Sequence, residues 1–81
     1  QALEGKRGKD YKTLLQEYVQ RDGDKHIVYR LLSESGPDHA KTFHMVVEIN
    51  GVTYEAGSGK SKKIAEQHAA QLTLEKLMAD K

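Results

Sequence analysis

The 81-residue chain has no cysteine and no tryptophan, one proline, and aromatic side chains at only 6% of its positions. Without cysteine there is no disulfide scaffold and no thiolate zinc module, and the composition fits a reducing compartment. No apolar run approaches the roughly 18 residues that a membrane span needs. Residues 1–9 (QALEGKRGK) lack the apolar stretch of a signal peptide. An excess of one charge is missing too: 13 Lys and Arg against 12 Asp and Glu leave a formal charge of +1. Net charge therefore says nothing about a polyanionic partner, and only the placement of charges can. A chain this short buries about 60–65% of its unfolded surface, enough for one modest core but not for a two-domain enzyme with a deep cleft.

What is present reads as five elements. Residues 1–9 are polar, basic and punctuated by glycine, a linker or tail. With no initiator Met, the chain is expected to be a piece of a longer protein or a processed one. Asp10 is placed to cap a helix, because a short carboxylate accepts from the free N–H groups of a first turn. Tyr11, Leu14, Leu15 and Tyr18 then fall at i, i+3, i+4 and i+7, an apolar stripe. Asp22-Gly23-Asp24 stops the helix near Arg21. Residues 27–35 (IVYRLLSES) read as a strand, and residues 36–39 (GPDH) as a loop stiffened by Pro37.

Residues 42–49 (TFHMVVEI) form the clearest strand, with Phe43, Met45, Val47 and Ile49 on one face and Val46 an apolar exception on the other. Asn50-Gly51 is the preferred dipeptide of a two-residue hairpin turn. Residues 52–56 (VTYEA) pair back, with Val52, Tyr54 and Ala56 on one side. Residues 57–60 (GSGK) turn the chain into a last helix capped by Ser61 and running to about Met78. Its face of Ala65, Ala69, Ala70, Thr73, Leu74 and Leu77 suits close packing. The expected fold is α+β: a two-layer αβββα arrangement, with a three-stranded antiparallel sheet and both helices on one face. The domain is expected at residues 10–78 with a short tail at 79–81, and its core at Leu14, Phe43, Val47, Ala65 and Ala69.

Three segments are candidates for function. The first is residues 57–63 (GSGKSKK), which looks like a phosphate-binding P-loop. That pattern needs a glycine five residues before Gly59, where Tyr54 stands, and a parallel strand–loop–helix unit, where a hairpin arm stands. The same physics allows another reading. Lys62 and Lys63 in a first helical turn oppose the positive end of the helix dipole, at a cost of about a few tenths of a kcal/mol. A bound anion removes the conflict, since free N–H groups, the dipole and Lys60, Lys62 and Lys63 all favour phosphate. The plain alternative is a solvated basic turn.

The second segment is the polar face of the first helix, Thr13, Gln16, Glu17 and Gln20. It is either an ordinary solvent face or a set of groups that meet sugar hydroxyls and base edges. The third, Gly36-Pro37-Asp38-His39, is either a connector or a preformed finger with a polar tip. His26, His39, His44 and His68 show no metal-ligand spacing, and no nucleophile–base pair or carboxylate pair stands out.

Taken together, these stretches resemble the double-stranded RNA-binding domain over nearly all of residues 10–77. The resemblance rests on DYKTLLQEYVQ in the first helix, Tyr29 in the first strand, GPDHAKTF before the second strand, and GSGKSKKIAEQHAA at the last helix. In detail it is most similar to the C-terminal domain of bacterial ribonuclease III. The resemblance implies binding of double-stranded RNA by shape, over about 16 base pairs. Thr13, Gln16 and Glu17 would lie in one minor groove, Gly36, Pro37 and His39 in the next, and Lys60, Ser61, Lys62 and Lys63 on the phosphates between. Many members carry a basic residue where Glu66 stands here.

The resemblance also implies a non-catalytic chain without a cofactor. Magnesium and catalysis would belong to the nuclease part of a homodimeric cytoplasmic parent, joined through LEGKRGK. The piece itself would be a monomer and would not touch a membrane. Another class stays open: some domains of this fold are protein-interaction modules, and Val46 on the open sheet face would suit that role.

Overall fold

A computed structural model describes residues 10–21 and 23–79. The expected tail at residues 1–9, Asp22 of the helix stop and residues 80–81 lie outside the described residues. The elements are α1 (Tyr11–Gln20), β1 (Ile27–Ser35), β2 (Thr42–Ile49), β3 (Val52–Gly59) and α2 (Lys62–Ala79). The three strands form one antiparallel sheet in the order β1-β2-β3. Leu15 and Val19 of α1 share a core cluster with Ala69 and Ala70 of α2 and with Val47 and Ile49 of β2, so both helices cover one sheet face. The αβββα architecture is thus as expected.

Local chemistry explains each boundary. Asp10 caps α1 by accepting from the Thr13 N–H at 3.3 Å. Arg21 closes α1, and Gly23 follows at φ +119. Asn50 and Gly51 take φ values of +51 and +83, the pair of left-handed residues that a tight hairpin of this twist requires. Asn50 does a second job: its Oδ1 accepts the His26 N–H at 2.9 Å and its own N–H donates to the His26 carbonyl at 2.9 Å, which pins the start of β1 to the hairpin.

The core differs from expectation in three places. Leu14 is 40% exposed, whereas Leu15 is fully buried and Val19 nearly so. The buried line of α1 runs at i, i+4 and i+8 through Tyr11, Leu15 and Val19, which turns Leu14 toward the outer side. Phe43 is only half-buried, because it lies at the sheet end, opposite Glu34 and Gly59. Val47, Ala65 and Ala69 are fully buried as expected. Val46 is the third case: it is 4% exposed rather than a patch on the open face. It sits in the central strand between Arg30 and Ala56, and an Arg30–Glu48 ion pair of 3.1 Å lies on the same face. The feature that suited a protein-interaction module is therefore covered within the chain.

Two irregularities set the strand faces. In β1 the register shifts between Leu31 and Ser33, leaving Leu32 as the extra residue and 58% exposed. In β3 it shifts between the Val46–Ala56 and Glu48–Thr53 pairs. That bulge puts Ala56 on the open face with Val46, so Val52, Tyr54 and Ala56 do not share a side.

The strand β3 also runs on through Gly59, beyond the expected end at Ala56. Residues 57–59 are ladder residues paired with β2, and only Lys60 and Ser61 connect to α2. The glycines serve packing: a Cβ on Gly57 would lie 2.2 Å from the Ala69 backbone nitrogen. A glycine strand against an alanine helix lets the two backbones meet, and leaves no flexible loop of the P-loop kind.

Candidate nucleic-acid interface

The first turn of α2 carries the lysines. Ser61 caps it by accepting the Ile64 N–H on Oγ at 3.1 Å, and its carbonyl accepts the Ala65 N–H at 2.9 Å. Lys62 and Lys63 follow as the first helical residues, with no acidic side chain in that turn. Lys60, Lys62 and Lys63 are exposed, and Ser61 is half-buried. Elsewhere basic side chains are mostly spoken for: Lys12 faces Glu66 at 2.6 Å, Arg30 faces Glu48 at 3.1 Å, Lys41 faces Glu34 at 3.0 Å and Lys76 faces Glu55 at 4.0 Å. Among the described residues, no carboxylate lies within ion-pair distance of Lys60, Lys62 or Lys63. Three uncompensated cations thus stand at the positive end of a helix dipole, a concentration of field that attracts an anion.

The loop between β1 and β2 lies beside them. Gly36 takes φ +92, and a Cβ there would stand 2.6 Å from the Ala40 carbonyl oxygen. Pro37, at φ −71, starts a single 3₁₀ turn over Asp38–Ala40, closed by an Ala40 N–H to Pro37 carbonyl bond of 2.9 Å. Gly36, Pro37 and His39 are all exposed. Because Phe43 pairs with Gly59, the loop and the start of α2 meet at one sheet end. His39, Lys41, Thr42 and Lys60 share a hollow of about 360 Å³ there. The sequence alone does not single out Lys41 and Thr42. Their signal is the β2–β3 register, which no single segment contains.

On the other side of α2 stands α1, whose Thr13, Gln16 and Glu17 are exposed. Glu66 and Gln67 lie one turn beyond Lys62 and Lys63 on the same stripes of α2, and both grip the start of α1. Glu66 holds Lys12, whose ammonium also lies 4.8 Å from the centre of the Tyr29 ring. Gln67 Oε1 accepts the Tyr11 N–H at 2.7 Å and the Lys12 N–H at 3.4 Å, while its Nε2 donates to Asp10 Oδ1 at 2.8 Å. The Gln67 amide, then the Thr13 hydroxyl and N–H, hold the Asp10 carboxyl down at about 2. Burial, and after it the charges of Glu66 and Asp10, push the Tyr29 phenol up to about 12. The start of α2 therefore joins all three candidate segments, with α1 on one flank and the β1–β2 loop on the other.

Two of the histidines have partners within the fold. His44 Nε2 is 3.2 Å from Ser35 Oγ, and His68 Nδ1 accepts the Ser58 N–H at 3.2 Å. Among the described residues, no three His, Asp or Glu side chains gather as a metal site, and no helix is long and apolar enough to cross a membrane.

A small αβββα domain with exposed, uncompensated lysines at the start of its last helix presents a surface suited to an anion, and its likeness to known proteins gives its family. A family model of the double-stranded RNA binding motif matches residues 11–77, and the chain belongs to that family. Its curated relatives include Ribonuclease 3 of Streptococcus mutans, 57% identical over 68 residues, which are 84% of this chain and 29% of the relative. Ribonuclease 3 of Streptococcus pyogenes serotype M3 is 52% identical over 71 residues, 88% of this chain and 31% of the relative. The chain thus spans less than a third of the length of these relatives. Among solved structures, the solution structure of DRB4 dsRBD2 is 37% identical and covers 84% of this chain and 94% of its own, with a TM-score of 0.59.

Proposed function

We propose that this chain binds double-stranded RNA by shape and serves as the substrate-binding module of a ribonuclease III. The observation that carries this reading is the set Lys60, Lys62 and Lys63, exposed and without carboxylate partners on a domain of this family. In this reading the lysines and Ser61 span the phosphates along a major groove. Thr13, Gln16 and Glu17 enter the minor groove on one flank, and Gly36, Pro37 and His39 enter the next. The A-form duplex offers 2′-hydroxyls in a wide minor groove, and little sequence is read. The side-by-side order of α1, the start of α2 and the β1–β2 loop supports the arrangement.

The chain itself is a binding domain of residues 10–78, monomeric and without a cofactor. Cleavage, its magnesium and the homodimer belong to other parts of a cytoplasmic parent. Binding of this chain to matched double-stranded RNA, double-stranded DNA and single-stranded RNA tests the reading, with magnesium present to reveal cleavage. Preference for duplex RNA without cleavage is the expected result. Equal affinity for all three, or reproducible cleavage, overturns it.

A further inference from the structure

The hydrogen bonds at the start of α1 fix which way its exposed hydroxyl can bond. Thr13 Oγ1 donates to Asp10 Oδ2 at 2.7 Å. An ionised carboxylate only accepts, so the Thr13 proton is committed and only lone pairs face outward. The carboxylate is held in that orientation by its other oxygen. Asp10 Oδ1 accepts the Thr13 N–H at 3.3 Å and the Gln67 amide at 2.8 Å. Gln67 in turn cannot reverse its amide, because its oxygen already accepts the Tyr11 N–H at 2.7 Å and the Lys12 N–H at 3.4 Å. A chain of one-way bonds therefore runs from the α1 backbone through Gln67 and Asp10 to Thr13.

Ser61 has the opposite polarity. Its Oγ accepts the Ile64 N–H at 3.1 Å, which leaves its proton free for an acceptor. The two hydroxyls match the two kinds of group on an RNA backbone: phosphate oxygens only accept, and the 2′-hydroxyl can donate. Glu17 extends the pattern, since a carboxylate facing a polyanion is tolerable where it meets a donor.

We propose that Asp10 and Gln67 are positioning residues that hold Thr13 as an acceptor for a donating 2′-hydroxyl, and so contribute to the choice of RNA over duplexes without that donor. The inference rests on the reading that the polar face of α1 enters a minor groove.

The test uses Asp10→Asn. Asparagine is as good a helix cap as aspartate, so α1 is retained. Two donors converge on the Oδ1 position, which keeps oxygen there and places the amide nitrogen opposite Thr13. That nitrogen donates to Thr13 Oγ1, and the Thr13 proton turns outward. Affinities are measured for an all-RNA duplex and for a 2′-fluoro duplex of the same sequence, which stays A-form but has no 2′ donor. The wild-type chain is expected to prefer RNA. Asp10→Asn is expected to narrow that preference about fivefold, the scale of one hydrogen bond, in a chain that still melts cooperatively at neutral pH. Thr13→Ala should narrow it similarly, and the double variant no further.

Equal losses on both duplexes with a lowered melt make Asp10 merely structural and overturn the proposal. So does Thr13→Ala with wild-type preference in a chain that still binds duplex RNA, a result that leaves the binding reading intact. A wild-type chain that does not bind duplex RNA overturns the binding reading itself.

Discussion

Lys12 and Glu66 meet at 2.6 Å across the seam between α1 and α2, and the same ammonium lies 4.8 Å from the centre of the Tyr29 ring. One lysine thus links both helices and the first strand beside the candidate interface. The pair also explains why an acidic residue suits position 66 in a region otherwise rich in lysine: a base there would face Lys12.

Charge reversal tests this link. Glu66→Lys is expected to cost about 1 kcal/mol, from the lost pair and the new repulsion at a half-exposed site. Lys12→Glu should cost a similar amount, and the two together should recover much of the loss. Denaturant melts of the four proteins give the coupling. A Glu66→Lys protein as stable as wild type at low salt refutes the link.

Leu14 and Leu15 are neighbours in sequence and opposites in burial, at 40% and 0% exposure. Leu15→Ala should therefore cost about 2–5 kcal/mol and bring the domain close to unfolding. Leu14→Ala should cost less than about 1 kcal/mol. Thermal melts of the two variants check this, and equal losses would contradict the rotation of α1.

The same pair marks where the sequence stops being readable. Periodicity gave the α1 stripe, but Tyr11, Leu14, Leu15 and Tyr18 are consistent with a range of helix rotations. Only the partners Val47, Ile49, Ala69 and Ala70 select the rotation that buries Leu15 and Val19. Strand faces failed for a similar reason at Ala56, because the β3 bulge leaves no mark in the alternation of residues 52–56. The helix caps Asp10 and Ser61, the Asn50-Gly51 turn and the alanine face of α2 were legible, since each depends on near neighbours. Glu66 and Gln67 were not legible as partners of α1: Gln67 bonds Tyr11 across 56 positions.

Acid should weaken the domain through Asp10. Its carboxyl sits at about 2 in the fold, below its ordinary value of 3.8. A depressed acid stabilises the fold above the unfolded value, and that contribution is lost as pH falls through the folded one. The melting temperature should thus drop between about pH 4 and pH 2. Asp10→Asn, which does not titrate, should show a shallower drop over the same interval. Parallel curves for the two proteins would refute the role of Asp10.

Pro37 begins the 3₁₀ turn of the β1–β2 loop and is exposed. If the loop meets RNA, Pro37→Gly frees the chain there and ordering it on binding costs about 0.5–1 kcal/mol more, or roughly two- to fivefold in affinity. The melting temperature should move by no more than a few degrees. Unchanged affinity with a large loss of stability would make the loop structural.

Lys62 gives the most direct test of the interface. It opens α2 at the positive end of the dipole, exposed, with no carboxylate beside it among the described residues. Its charge does nothing for the fold that the structure displays, so Lys62→Ala should leave stability unchanged or slightly raised. If the side chain neutralises a phosphate, binding releases a counterion, and affinity falls with salt at a log–log slope near −0.9 per contact by analogy with B-form duplexes. Lys60, Lys62 and Lys63 together would then contribute roughly −3 to the slope. Lys62→Ala should weaken binding to every duplex RNA sequence by about the same factor and flatten the slope by roughly one unit. A base-reading residue would instead relax preference at one position. A solvated lysine would leave both affinity and slope alone, and a structural one would lower the melting temperature. Affinities at several salt concentrations, with a melt of the same protein, separate these outcomes. Wild-type affinity and slope in Lys62→Ala would remove this residue from the interface.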